Sequence, residues 1–161
     1  MATDVVSELA QALAERGLTV AVAESCTGGL LGHRLTRDGG SSRYFVGGIV
    51  AYANAVKTGQ LDVSEDSLEQ EGAVSDRVAR EMARGVRLRL SAGLGLATTG
   101  IAGPDGGTAE KPVGMVYIAL SHGEGELSQK CYFSGSRDEI KSSASQAALE
   151  LLHEYLLESG N

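Results

Sequence analysis

Three side chains stand out as able to do covalent or proton-transfer chemistry: a serine, its neighbouring cysteine and a lysine 32 residues on. The segment Ala23-Glu24-Ser25-Cys26-Thr27-Gly28-Gly29 sets a hydroxyl beside a thiol where an apolar run (18–23) gives way to a helical pattern (30–35). A side chain at such a junction is exposed at the sheet edge, near helix-start N–H groups that favour negative charge on a phosphate or a developing oxyanion. Ser25 is either a nucleophile or a helix cap. Cys26 competes, because a thiol near a helix N-terminus loses its proton more easily, although free cysteine also serves as a small buried apolar residue. A serine nucleophile needs a base. His33, His122 and His153 fall within a helix, on a turn and near the C-terminus, which gives a Ser-His-Asp triad poor support. A lysine serves as base when desolvation lowers its pKa. Lys57 closes a run without other charge, Val50-Ala51-Tyr52-Ala53-Asn54-Ala55-Val56-Lys57. Its alternative reading is an ordinary solvated lysine.

A second cluster is Thr98-Thr99-Gly100-Ile101-Ala102-Gly103-Pro104-Asp105-Gly106-Gly107. Glycines let a backbone approach a ligand and aim N–H groups at an anion. No Gly-Lys-Ser/Thr follows, so this is not a Walker loop, nor does it match the dinucleotide fingerprint. Thr99 reads as a substrate contact or an oxyanion donor. Arg137, between a strand and a helix, reads equally as a phosphate contact or half of a local salt bridge. Arg77, Arg80, Arg84 and Arg87 form a row on an outer helix face, solvated or facing another subunit. Glu110 and Lys111 read as a solvated pair. No His, Cys, Asp or Glu set has metal-ligand spacing, so neither metal nor cofactor is expected.

The elements that must position these groups follow from periodicity. Val6, Leu9, Ala10 and Leu13 recur at helical spacing before Gly17, giving a helix over 3–16. A strand over 18–23, a helix over 28–36, a turn over 38–42 and a buried strand over 45–52 come next, and Asn54 caps a short helix carrying Lys57. Ser75 caps a helix over 75–91 with Val78, Met82, Val86 and Leu90 inward. A strand over 94–99 precedes a loop over 100–112 that holds both prolines. Strands over 113–121 and 127–133 form a hairpin, and a helix over 138–157 turns Ile140, Ala144, Ala148, Leu151 and Tyr155 inward. The pattern predicts a single domain over 1–161, a layered α/β/α fold with a mixed, mostly parallel sheet and a C-terminal hairpin. Ligands bind beyond the carboxyl ends of parallel strands, where the segments at Ser25, Asn54–Lys57 and Gly100 would meet.

The chain has 161 residues, 22 glycines, no tryptophan and a net charge of −7, a balance that argues against nucleic acid or an anionic membrane as partner. Its two cysteines, Cys26 and Cys131, lack both metal spacing and disulfide density, and its start carries no basic or long apolar segment. The expectation is a reduced, cytoplasmic protein. Glycine-rich loops and an edge strand in the terminal hairpin suggest a homo-oligomer.

Five segments together resemble the CinA C-terminal family: Ala-Glu-Ser25-Cys-Thr-Gly-Gly, Gly47-Gly-Ile-Val-Ala-Tyr52-Ala-Asn54-Ala-Val-Lys57, Gly72-Ala-Val-Ser75, Thr99-Gly-Ile-Ala-Gly-Pro-Asp-Gly-Gly and Glu110-Lys-Pro-Val-Gly114. That family includes stand-alone nicotinamide-nucleotide amidases. The resemblance implies metal-free hydrolysis of nicotinamide mononucleotide to nicotinate mononucleotide and ammonia, in pyridine-nucleotide salvage. It implies Ser25 as nucleophile, Lys57 as base, and a pocket lined by Tyr52, Asn54 and Thr99. On this reading the N–H groups of Thr27, Gly28 and Gly29 stabilise the oxyanion. The loop through Gly100, Ala102 and Gly103 holds the phosphate with Arg137. Where the family commonly has Tyr-Ser-Asn-Glu, this chain has Tyr52-Ala53-Asn54-Ala55, a difference expected to affect rate more than reaction type. Larger members carry an N-terminal domain with a nucleotide pyrophosphatase activity that is not expected here. The family's name suggests a competence or DNA-damage role, but this composition offers no basic surface for one. Two alternatives remain: a nucleotide-binding regulatory module without turnover, and an amidase for another nucleotide-like amide.

Overall fold

The computed structural model describes residues 4–160. In chain order the elements are α1 (Val5–Arg16), β1 (Val20–Glu24), α2 (Leu30–Leu35), β2 (Phe45–Val50), α3 (Asn54–Leu61), α4 (Glu65–Glu71), α5 (Asp76–Arg89), β3 (Leu94–Gly100), β4 (Met115–His122), β5 (Gly125–Tyr132) and α6 (Arg137–Glu158). They build a five-stranded sheet of order β2-β1-β3-β4-β5. The first three strands run parallel, β4 is antiparallel to β3, and β5 is antiparallel to β4. The expected layered α/β/α architecture with a mixed sheet and terminal hairpin is what the chain adopts.

Pleating divides each buried strand between two cores, because successive side chains point to opposite faces. Val20 and Val22 of β1, with Leu94 and Leu96 of β3, pack against α1, α2 and α6. Ala21 and Ala23, with Ala97 and Ala119, pack against α5 and the end of α3. Small residues on this second face let α5 lie close to the backbone. A Cβ on Gly95 would stand 2.1 Å from the Ala83 carbonyl oxygen, and one on Gly85 would stand 2.0 Å from that of Leu61. The second contact locks the end of α3 onto α5 and so sets where Lys57 sits.

Several boundaries differ from expectation. The residue-3 start expected for α1 lies outside the described residues, and Asp4 is the N-cap. β1 runs over 20–24, not 18–23, and β2 ends at Val50 rather than residue 52. Asn54 does not cap α3: Ala53 occupies that position without a side-chain bond, and Asn54 is the first helical residue. Helix α4 escaped periodicity because only Leu68 supplies a large apolar side chain among charged and polar neighbours. Its start is capped by Ser64, which accepts from the Ser67 N–H. Ser75 caps α5 and accepts from the Val78 N–H, as expected.

The arginine row on α5 is solvent-exposed, as expected, but paired. Arg77 pairs with Asp66, Glu71 and Glu81, Arg80 with Asp76, and Arg84 with Glu126, while Arg87 donates to Ser121. These contacts tie α5 to α4 and to the hairpin. Lys111 donates to the Glu71 carbonyl rather than pairing with Glu110. No helix among the described residues is long and apolar enough to cross a membrane.

Candidate active site

The strand order makes β1 and β3 a switch point: the chain leaves β1 toward β2 on one face and returns from β2 to β3 over the other. Ligands in such sheets sit beyond the carboxyl ends at that point. Ser25 stands one residue past β1, and its N–H donates to the Thr98 carbonyl (3.0 Å), extending the β1–β3 ladder. Ser25 is not a helix cap. Gly29, at φ 106, is the N-cap of α2, and a turn over residues 26–29 separates it from the serine.

The first N–H groups of α2 are already occupied. The Glu24 carboxylate, 2% exposed, accepts from Leu31 N–H (2.8 Å), Gly32 N–H (3.0 Å) and the Thr27 hydroxyl (2.6 Å). Thr27 Oγ1 in turn lies 2.7 Å from Thr98 Oγ1. With the Thr27 proton directed at Glu24, the Thr98 hydroxyl is the donor of that second bond. Thr27 therefore serves the junction's structure and does not line the cavity. The Gly28 N–H is engaged as well, donating to the Ser25 carbonyl (3.1 Å). Gly29 likewise lies outside the lining residues. None of the oxyanion donors expected at Thr27, Gly28 and Gly29 lines the cavity; the turn directly after Ser25 offers instead the N–H of Cys26, which has no main-chain partner among the described residues.

Lys57 lies on the buried stripe of α3 with Leu61, at 1% exposure. Its Nζ is 3.0 Å from Ser25 Oγ, 2.9 Å from the Ala51 carbonyl and 3.0 Å from the Tyr52 carbonyl. Burial pushes the lysine's pKa below its ordinary value, since the site disfavours the charged form. As an ammonium, Lys57 donates to all three; once neutral, it keeps two N–H bonds for the carbonyls and can turn its lone pair to the serine hydroxyl.

Around this pair is a half-open cavity of about 230 Å³, lined by Ser25, Cys26, Tyr52, Asn54, Lys57, Ala73, Val74, Thr99, Gly100, Ala102 and Arg137. Cys26 is 5% exposed, and burial pushes its thiol up to about 12, so it stays protonated at neutral pH and is a poor nucleophile beside Ser25. The Thr99 hydroxyl donates to the Ala73 carbonyl (2.8 Å), which directs its proton away from any oxyanion and pins the 72–75 loop to the cavity wall. Arg137 makes no salt bridge among the described residues. It donates to the Gly103 carbonyl (2.6 Å) and to the Tyr52 hydroxyl (3.1 Å), closing the mouth from the side of α6.

Much of the glycine loop packs on Val113 rather than lining the cavity. Gly103 would place a Cβ 2.4 Å from Val113 Cγ1, and Gly107 one 2.8 Å from the Val113 N, so their smallness accommodates packing on that residue. Only Gly100 and Ala102 of this loop reach the cavity, and Gly103 presents its carbonyl to Arg137. The histidines lie elsewhere: His153 bonds Glu8 (2.9 Å) and His122 stacks on Tyr155. Glu24, Thr98, Ala73 and Val74 were not singled out by residue chemistry. The last two lie in a run whose signal was the family motif Gly72-Ala-Val-Ser75. Among the described residues no group of three or more His, Cys, Asp or Glu is placed to hold a metal ion.

The family model of the CinA C-terminal domain matches residues 2–156. A putative competence-damage inducible protein of Halothermothrix orenii is 50% identical over 155 residues, which is 96% of this chain and 38% of that protein. A CinA-like protein of Desulfotalea psychrophila is 53% identical over 148 residues, 92% of this chain and 36% of its own length. The chain thus spans little more than a third of these curated relatives. The crystal structure of the competence/damage inducible protein CihA from Agrobacterium tumefaciens aligns at a TM-score of 0.87 and 40% identity, covering 96% of this chain and 97% of that one.

Proposed function

The chain belongs to the CinA C-terminal domain family, and from that premise we propose that it hydrolyses the carboxamide of nicotinamide mononucleotide to nicotinate mononucleotide and ammonia. The observation that carries the reading is the buried contact between Lys57 Nζ and Ser25 Oγ at 3.0 Å, in a cavity at the switch point of the sheet. Ser25 Oγ attacks the carboxamide carbon while neutral Lys57 takes its proton. The Cys26 N–H stabilises the oxyanion, a well-placed donor contributing about 3 kcal/mol. The C–N bond breaks, and Lys57 returns its proton to the departing ammonia. Water, deprotonated by Lys57, then attacks the acyl-serine, and the proton goes back to Ser25 Oγ as the carboxylate leaves. No cofactor takes part.

At about 230 Å³ the cavity is smaller than the ~300–1,000 Å³ typical of pockets that engulf a ligand. It encloses the reacting end of a nucleotide and leaves the remainder at the mouth, where Tyr52 and Arg137 stand. Ammonia release from nicotinamide mononucleotide tests the reading. Wild type and Cys26→Ala should turn over and Ser25→Ala should not. Turnover by Ser25→Ala, or nucleotide binding by wild type in calorimetry without ammonia release, would overturn it.

A further inference from the structure

Lys141 lies on α6 one helical turn after Arg137, and residues four apart on a helix are surface neighbours about 6 Å apart at Cβ. It is half-buried, and among the described residues it has no carboxylate within salt-bridge distance. Its ammonium reaches the turn that follows Ser25: the Cβ position of Gly28 is 3.7 Å from Nζ, two residues on from Cys26, which lines the cavity. Gly28, at φ 56, leaves that approach open. The acidic neighbours are otherwise engaged. Glu24 accepts from three donors beneath the turn, and Glu139 closes the capping box of α6. No carboxylate lines the cavity of a chain whose net charge is −7.

We propose that Lys141 is the second cation, beside Arg137, of a phosphate subsite at the mouth of this pocket, on the side of the Gly28 turn and away from the glycine loop. The inference rests on the amidase reading in taking a nucleoside monophosphate as the occupant. A half-open pocket holds the reacting group beside Ser25 and lets the phosphate emerge between two positive charges one turn apart. Arg137, held by Gly103 and Tyr52, gives a fixed fork, whereas Lys141 supplies a mobile point charge.

The experiment measures ammonia release by wild type, Lys141→Ala and Lys141→Arg on nicotinamide mononucleotide and on the riboside, which lacks the phosphate. Lys141→Ala should raise KM for the mononucleotide roughly tenfold, as expected for a partly solvated charge-assisted bond, with kcat and all riboside kinetics within about twofold of wild type. Lys141→Arg should restore most of the loss. Equal losses on both substrates, or no loss on the mononucleotide, would overturn the subsite. If wild type releases no ammonia from either compound, the amidase reading falls, and calorimetric titration of the same three proteins decides the subsite separately. Phosphate-dependent affinity lost in Lys141→Ala supports it, and affinity unchanged refutes it.

Discussion

Replacing Lys57 by methionine keeps the length of a buried side chain and removes the amine that stands 3.0 Å from Ser25 Oγ. At its ordinary pKa of 10.5, a lysine is neutral in only about 3 molecules per 10,000 at pH 7. Each unit of depression by burial raises that fraction tenfold, so the desolvation of Lys57 at 1% exposure is what makes the base usable. General-base catalysis contributes about 10²–10⁴-fold, and Lys57→Met should lose that in kcat/KM, about 3–5 kcal/mol. Wild-type kcat/KM should rise tenfold per pH unit and level off at a midpoint below 10.5, while the methionine variant should lack that limb. Stability carries the same signature. Because the folded pKa is lowered, the unfolded chain binds more protons between the two pKa values. The stability contributed by this site therefore rises with pH through that window, up to 10.5, and is flat above it. Urea unfolding at pH 7 and pH 9.5 should show wild type gaining on Lys57→Met as pH rises. A flat wild-type rate profile, an unchanged limb in the variant, or an equal stability difference at both pH values would refute the argument.

Two further substitutions probe the frame around the pair. Glu24→Gln keeps shape but swaps an acceptor for an amide facing a donor. It should cost about 2–4 kcal/mol and lower the melting temperature by roughly 5–12 °C for a domain of this size, and a shift below about 2 °C would sink the assigned role. Gly85→Ala drives a Cβ to within 2.0 Å of the Leu61 carbonyl. Overpacking of about 1–3 kcal/mol should outweigh the gain in helix propensity, so a melting temperature equal to or above that of wild type would contradict the close approach of α3 to α5.

Most of the layered fold was legible in the sequence because buried strands and amphipathic helices carry strong periodic signals: Val78, Met82 and Val86 mark the inner face of α5 plainly. Helix α4 was not legible, since a short polar helix is held by caps and by the Arg77 pairs from α5, which are tertiary. At the site, position relative to strand ends made Ser25 and Lys57 candidates, and the family resemblance singled them out over a helix cap and a solvated lysine. Glu24 did not, because a carboxylate at the end of an apolar strand gives no hint that its acceptors turn back to cap the helix that follows. The glycine loop is ambiguous in sequence for a related reason. A glycine chosen to let Val113 pack and one chosen to admit a phosphate are identical in sequence.

The division of labour at the junction follows from the pleat. Along β1, residues 20, 22 and 24 face α2, and residues 21, 23 and the following Ser25 face α5 and α3; along β3, residues 94, 96 and 98 face the first side, and 95, 97 and 99 the second. Adjacent residues of like polarity are thereby sorted into opposite tasks. Glu24 and Thr98 join Thr27 in the network that anchors the start of α2, while Ser25 and Thr99 enter the cavity. The sorting has a chemical consequence. Because Glu24 occupies the α2 N–H groups, the helix start already holds a negative charge and is not available to a second one at Ser25. On the amidase reading, charge developing on the substrate is met by the turn itself and by cations above it: the N–H of Cys26, with Arg137 and the proposed Lys141 at the mouth.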